Sequence, residues 1–267
     1  MGETCYREYP IHPALALLVK SIWSLESNRT VYGALPEIIL RHGCVELVFH
    51  FHDPFRTHFA DGNSAVQPRS FVVGQMKRFL DIAPTGQIGF IAVRFSARNA
   101  YRFFPKRLHE VADGVVDLTE VCKAGPDKWT EQVASSRGMP ARVRIVEDAL
   151  LALLRKNGRY DVMVDRCLQV IETAGGQRSI EEMAFEIGTS CRQLVRRFHT
   201  AVGVSPKEFS RVSRFVRALR CLREREFRTL TTAHACGFFD QAHFNRDFRE
   251  FAGMSPGELS RFPNVAF

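Results

Sequence analysis

The chain has 267 residues, room for two modest domains that each bury a core. With 45% hydrophobic and 25% charged residues, no low-complexity tract and no apolar run of membrane-spanning length, it falls outside the disordered, fibrous and membrane-spanning classes. A formal charge of +8 and a pI near 9.3 point to a polyanionic partner. Seven scattered cysteines without a Cys-x-x-Cys pair predict reduced thiols in a cytoplasmic protein, and Met1–Tyr6 shows no secretory signal.

In chain order, His12–Val19 reads as a proline-started short helix or an extended arm. Ser21–Glu26 alternates polar and apolar residues, the period of a half-buried strand. Cys44–His52 is the strongest strand, rich in branched and aromatic residues, entered through Arg41-His42-Gly43 and ended by Asp53-Pro54. Further strands are expected over Ser70–Gln75, Phe79–Ala83 and Ile88–Phe95. Short strands punctuated by Gly and Pro suggest a small sandwich or barrel. The period then turns helical over Ala97–Phe104 and Leu108–Ala112. Linker-like Gly125-Pro126 and Gly138-Met139-Pro140 frame two helices, Asp127–Ser135 and Ala141–Lys156. The second helix carries one apolar side, with Arg142, Arg155 and Lys156 outside, and serves as an internal brace or a dimer contact.

Three residues in this half have metal-ligand chemistry. Glu46, His50 and His52 share the alternation of one strand, so their side chains could converge on a transition metal. The competing reading is ordinary polar positions on a half-buried strand. Arg94, inside the run Ile91–Phe95, either anchors an anionic ligand or faces solvent. The aromatic residues of this half either line a ligand pocket or fill a core. No phosphate-binding glycine loop, Gly-x-Ser-x-Gly or His-Glu-x-x-His occurs.

The C-terminal half repeats itself. Leu194, Arg196, Phe198, Gly203, Ser205 and Pro206 return fifty residues later as Phe244, Arg246, Phe248, Gly253, Ser255 and Pro256. Self-similarity at a fixed offset is the mark of structural duplication. Each copy reads as helix, tight turn, helix, then a Gly-x-Ser-Pro stop. A helix precedes the first copy over Tyr160–Gly176. Ser179 and Glu182 then form a capping box for Ile180–Ile187, Gly188 supplies the turn, and Ser190 caps Cys191–Val202. In the second copy Thr231/Thr232 start the short helix, Gly237 turns it and Asp240 caps Gln241–Phe251. Arg192, Gln193, Val195, Arg196 and His199 form the outer side of the first recognition helix; Gln241, Ala242, Asn245, Arg246 and Arg249 form that of the second. Arginine pairs with guanine O6 and N7, and Gln or Asn with adenine N6 and N7. The connecting helix, Pro206 to about Arg225, spans roughly 30 Å, close to one turn of B-DNA. From Cys191 to Arg228 there are eleven basic residues against Glu208, Glu224 and Glu226, an excess equal to the net charge of the whole chain.

These motifs resemble a known family. Gly237-Phe238-x-Asp240-x-x-His243-Phe244-x-Arg246-x-Phe248 with Gly253-x-Ser255-Pro256 is similar to the signature of the AraC/XylS transcription regulators. Ser190-x-Arg192-x-Leu194-x-Arg196-x-Phe198, Gly203-x-Ser205-Pro206 and Arg214-x-x-x-Ala218 resemble the family's first unit. Leu259 departs from the aromatic residue usual there. The resemblance implies that Arg192, Val195 and Arg196 face bases from the first helix, and Gln241, Ala242, Asn245 and Arg246 from the second. His12-Pro13, Gly43–Phe49, Phe71–Gln75 and Val93–Phe95 resemble an N-terminal domain of unknown function often attached to such regulators. By analogy with the family, this half is a cupin-like barrel that senses a small molecule.

The expectation is therefore an α+β multidomain protein: a β-rich sensor or oligomerisation domain over 1–123, a helical connector over 124–160, and a double helix-turn-helix over 161–267. It predicts a non-enzymatic regulator that binds double-stranded DNA, responds to a small-molecule effector, works as a homodimer with RNA polymerase as a possible partner, and needs no cofactor. One alternative is a cupin-type metalloenzyme fused to a DNA reader. Another is a relative of Ada-type repair regulators, although the clustered zinc cysteines and a Pro-Cys-His acceptor are missing.

Overall fold

The computed structural model describes residues 4–30, 37–40, 43–59, 61–76, 79–104, 108–110, 114–123, 125–158, 160–223, 233 and 235–259. The N-terminal region is built of strands β1 (Thr4–Tyr9), β2 (Ser21–Thr30), β3 (Glu37–Ile39), β4 (Cys44–His50), β5 (Phe55–His58), β6 (Ser64–Val66), β7 (Ser70–Val73), β8 (Leu80–Pro84), β9 (Gln87–Ser96) and β10 (Val115–Asp117). They form two antiparallel sheets, one in the order β1-β2-β9-β4-β7-β10 and the other β3-β8-β5-β6.

Alternation along β4 explains the layering. Val45, Leu47 and Phe49 point to the helices, whereas Val48 points to the second sheet. The space between the sheets is filled by Val48, Phe71, Val73, Phe90 and Ala92 from one side and Phe55 and Ile82 from the other. The aromatic residues here are therefore core.

Several expectations change at this level. His12–Val19 forms turns, and β1 precedes it as an exposed edge strand. β3, β5 and β6 also appear; β6 is wholly exposed and so carries no buried alternation to read. The helix expected over Ala97–Phe104 stops at Ala100 (α1, Ala97–Ala100). Leu108–Glu110 is a 3-10 turn, and 111–112 lie outside the described residues, as do Arg41 and His42.

The remaining described helices are α2 (Leu118–Val121), α3 (Pro126–Ser135), α4 (Met139–Asn157), α5 (Val162–Thr173), α6 (Ile180–Ile187), α7 (Cys191–Val202), α8 (Pro206–Arg223), α9 (Gln241–Ala252) and α10 (Pro256–Leu259). The apolar side of α4, with Val146, Leu150 and Leu153, is spent on the chain's own interior. Arg142 is not outside: its guanidinium lies 3.9 Å over the Phe51 ring and its Nε donates to the Val133 carbonyl.

One hydrophobic cluster runs from the helix-facing side of the large sheet through α4 and α5 to α7 and Phe209. Polar contacts cross the same junction. Arg98 grips Asp165 with two bonds of 2.8 and 2.7 Å, the Asp161 amide donates to the Tyr101 hydroxyl at 3.0 Å, and the Asn157 amide donates to the Phe103 carbonyl. A second cluster fills the second helix-turn-helix unit around Phe215, Phe244, Phe248 and Phe251.

Candidate nucleic-acid interface

Local signals set the two recognition helices. Ser179 and Glu182 close a capping box on α6, and Gly188 ends that helix with φ +76°. Ser190 then caps α7 by accepting from the Gln193 amide. Asp240 does the same for α9, accepting from the His243 amide at 2.6 Å. Thr231 and Thr232, the expected start of the helix before Gly237, lie outside the described residues.

The exits repeat as closely as the entries. Gly203 and Gly253 hold left-handed conformations, φ +96° and +71°, and end α7 and α9. Beyond them, the Ser205 and Ser255 hydroxyls accept from the Glu208 and Glu258 amides at 3.2 and 3.3 Å. The glutamates reach back to the serine amides at 3.1 and 2.7 Å. A capping box with proline at the first helical position thus follows each unit. Glu208 and Glu258 were missed in the sequence, although their shared offset of fifty was there to be read.

Each recognition helix buries one side and exposes another. Leu194, Phe198 and Val202 of α7 are buried, as are Phe244, Phe248 and Phe251 of α9. Arg192, Gln193 and Arg196 are exposed with Val195 half-buried beside them; Gln241, Ala242 and Arg246 are exposed with Asn245 half-buried. At 100° per residue, Arg192, Val195, Arg196 and His199 form one stripe. Their repeat equivalents Ala242, Asn245, Arg246 and Arg249 form the other. Gln193 also accepts from the Thr189 hydroxyl at 3.2 Å, which holds it near the turn.

Several of the basic residues of α7 and α8 are turned to partners within the chain. Arg197 pairs with Asp161 at 2.7 Å, tying α7 to the start of α5. On α8, Arg211 binds Asp247 and Glu250 of α9 while its guanidinium lies 4.8 Å from the Phe251 ring centre. Burial works against the Arg211 charge, but its bonds to the two carboxylates outweigh that and raise its pKa. Arg214 donates to the Gly176 carbonyl and lies over Phe238; burial lowers its pKa. Lys207, Arg217 and Arg220 remain exposed on α8. The Asp247 side chain is only 1% exposed.

Glu46, His50 and His52 do not come together as ligands. The Glu46 carboxylate accepts from Arg94 Nε at 2.6 Å. His50 Nε2 lies 3.2 Å from Gln67 Oε1, amid the rings of Phe55, Phe71 and Phe90. Burial lowers the His50 pKa to about 4, which keeps it neutral. His52 lies past the end of β4, its ring edge against Phe51. Among the described residues no group of three His, Cys, Asp or Glu side chains could hold a metal ion. Arg94 is neither solvent-facing nor alone: it pairs with Glu46 and lies 5.5 Å from the Trp23 ring centre.

Comparison with known proteins finds two family models that each match less than half of the chain. Residues 183–261 match a helix-turn-helix domain model, and residues 7–117 match a domain of unknown function (DUF6597). The regulator GbdR of Pseudomonas aeruginosa is 31% identical over 77 residues, covering 29% of this chain and 21% of GbdR. The activator RhaS of Escherichia fergusonii is 29% identical over 138 residues, 48% of this chain and 50% of RhaS. The chain thus spans half or less of the length of these curated relatives. The solved structure of ToxT from Vibrio cholerae aligns over 96% of this chain and 97% of its own, with 9% identity and a TM-score of 0.47.

Proposed function

We infer that this chain, by its C-terminal helix-turn-helix unit a member of the AraC/XylS family of transcriptional regulators, reads double-stranded DNA with α7 and α9. The observation that carries the reading is the pair of equivalent exposed stripes, held at matching positions by matching caps. The described 18 residues of α8 rise about 27 Å, a length that suits two recognition helices entering successive major grooves. Arg192, Arg196 and Gln193 would approach base edges from the first unit, with Val195 offering apolar contact. Gln241, Asn245 and Arg246 would do so from the second, with Ala242 beside them. Exposed Lys207, Arg217 and Arg220 add positive charge that favours the phosphate backbone.

The reading assigns the region 1–123 to effector sensing or oligomerisation, 124–160 to the connector and 161–267 to DNA. An effector that favours one arrangement of the N-terminal region would change how the reading heads are presented. A second copy and RNA polymerase are the further partners it implies, in the cytoplasm and without enzymatic turnover. Among the described residues no helix is long and apolar enough to cross a membrane.

Selection of bound fragments from a random DNA pool tests the reading. Two conserved blocks about one helical turn apart are expected. Recovery of no enriched sequence would remove the base-reading role from both helices.

A further inference from the structure

The second helix-turn-helix unit does not complete its interior alone. Leu40, from the N-terminal region, is 0% exposed within the cluster of Phe215, Phe248 and Phe251. Phe79, also N-terminal, packs against the same cluster. Its ring sits where α9 ends: a Cβ added at Gly253 would stand 2.5 Å from Phe79 Cε1. Glycine is required there twice over, for the positive φ and for the seat of that ring.

Leu40 and Phe79 are neighbours for a simple reason. Ile39 and Leu80 are partners in the β3–β8 register, so the next residue out on each strand lies at the same end of the strand pair. Ile39 and Leu80 themselves pack into the interior between the two sheets, as does Ile82 further along β8. The β3–β8 strand pair therefore has apolar side chains in two separate interiors. The first unit is joined differently, through α5 and the large cluster that reaches α7.

We propose that the β3–β8 end is an interaction surface whose partner is the second helix-turn-helix unit, and that it clamps the orientation of α9. Any shift of Ile39 and Leu80 in the packing between the sheets would carry with it the two side chains that seat the second unit. A shift at this end of the β3–β8 pair would thus reach α9 directly, whereas α7 is joined through the other cluster. The clamp rests on the inference that α9 reads DNA only for its consequence; its mechanical part is independent of it.

Hydrogen exchange on the full chain, native and Phe79→Ala, tests the clamp. Amides of α9 should exchange roughly tenfold faster or more in the variant, the order expected when a packed phenyl ring is truncated, while those of α7 stay as they were. Binding to a selected two-block DNA should weaken, and binding to the first block alone should not. If Phe79→Ala does not fold, Phe79→Leu carries the same test with a smaller local rise. Unchanged α9 exchange, or a rise shared equally by α7 and α9, would overturn the clamp. Native protein that binds no DNA would overturn the DNA reading and leave the exchange result standing.

Discussion

Arg211 and Asp247 join the connecting helix to the second recognition helix through two contacts, Nη2 to Oδ1 at 2.8 Å and Nε to Oδ2 at 3.3 Å. The carboxylate is buried on the inner side of α9, opposite the stripe that carries Asn245 and Arg246. His243 adds a further contact at 3.6 Å from Asp247 Oδ2. The angle between α8 and α9 is therefore held by charge as well as by apolar packing.

Removing that carboxylate should be costly. Asp247→Ala leaves Arg211 partly buried with Glu250 as its remaining carboxylate partner. A loss of about 3 kcal/mol is expected, in the range for breaking a buried pair from one side. Thermal or urea unfolding measures it; a variant as stable as the native chain would show that the pair is dispensable.

Neighbouring arginines on α7 should separate cleanly. Arg196→Ala should cost about 1–3 kcal/mol at the selected DNA site and relax preference at one base position. Arg197→Ala, which removes the partner of Asp161, should lower the melting temperature and leave the selected sequence as it was. Binding-site selection with each variant reads both outcomes, and an identical change in specificity would erase the distinction.

Acid should weaken the N-terminal domain through His50. Its folded pKa, about 4, lies below the ordinary histidine value of about 6.5, so the unfolded chain binds the extra proton first. The associated stability is fully present above about pH 6.5 and is lost as pH falls toward 4, by roughly 3 kcal/mol across that window. Unfolding midpoints measured over this range should slope less steeply in His50→Phe. An equal slope would assign the acid sensitivity to other groups.

The duplicated exit boxes should contribute similarly. Ser205→Ala and Ser255→Ala each remove the acceptor of a helix-start amide, at a cost of about 1 kcal/mol. Denaturant midpoints of the two variants give the comparison, and a neutral Ser205→Ala would mean that Glu208 alone suffices to start α8.

How far the sequence was legible depended on what each residue had to satisfy locally. Ser179, Ser190, Asp240, Gly203 and Gly253 announce themselves because capping and positive φ are demands met within a few residues. Leu194, Phe198, Phe244 and Phe248 follow from helical period, and so the exposed stripes follow as well. β1 and β6 left no alternation because they bury almost nothing. The pairings of Arg197, Arg211, Arg214 and Asp247 were not legible. Their partners lie thirty-six or more residues away, and nothing local distinguishes a paired arginine from a solvated one. Likewise, His50 and His52 suggested a ligand pair by spacing alone, whereas ring packing around His50 is a tertiary fact.

The large interior that passes from the first sheet through α4 and α5 to α7 has a practical meaning. Linker-like sequence at Gly125-Pro126 and Gly138 marks bends in a continuous solid, with Val133, Val146, Val164 and Leu194 on one unbroken surface of contact. A fragment cut before α5 would carry away raw apolar faces that belong to its missing half. Among the described residues that interior has no seam between the large sheet and α7, so strain at one end is felt at the other without a messenger.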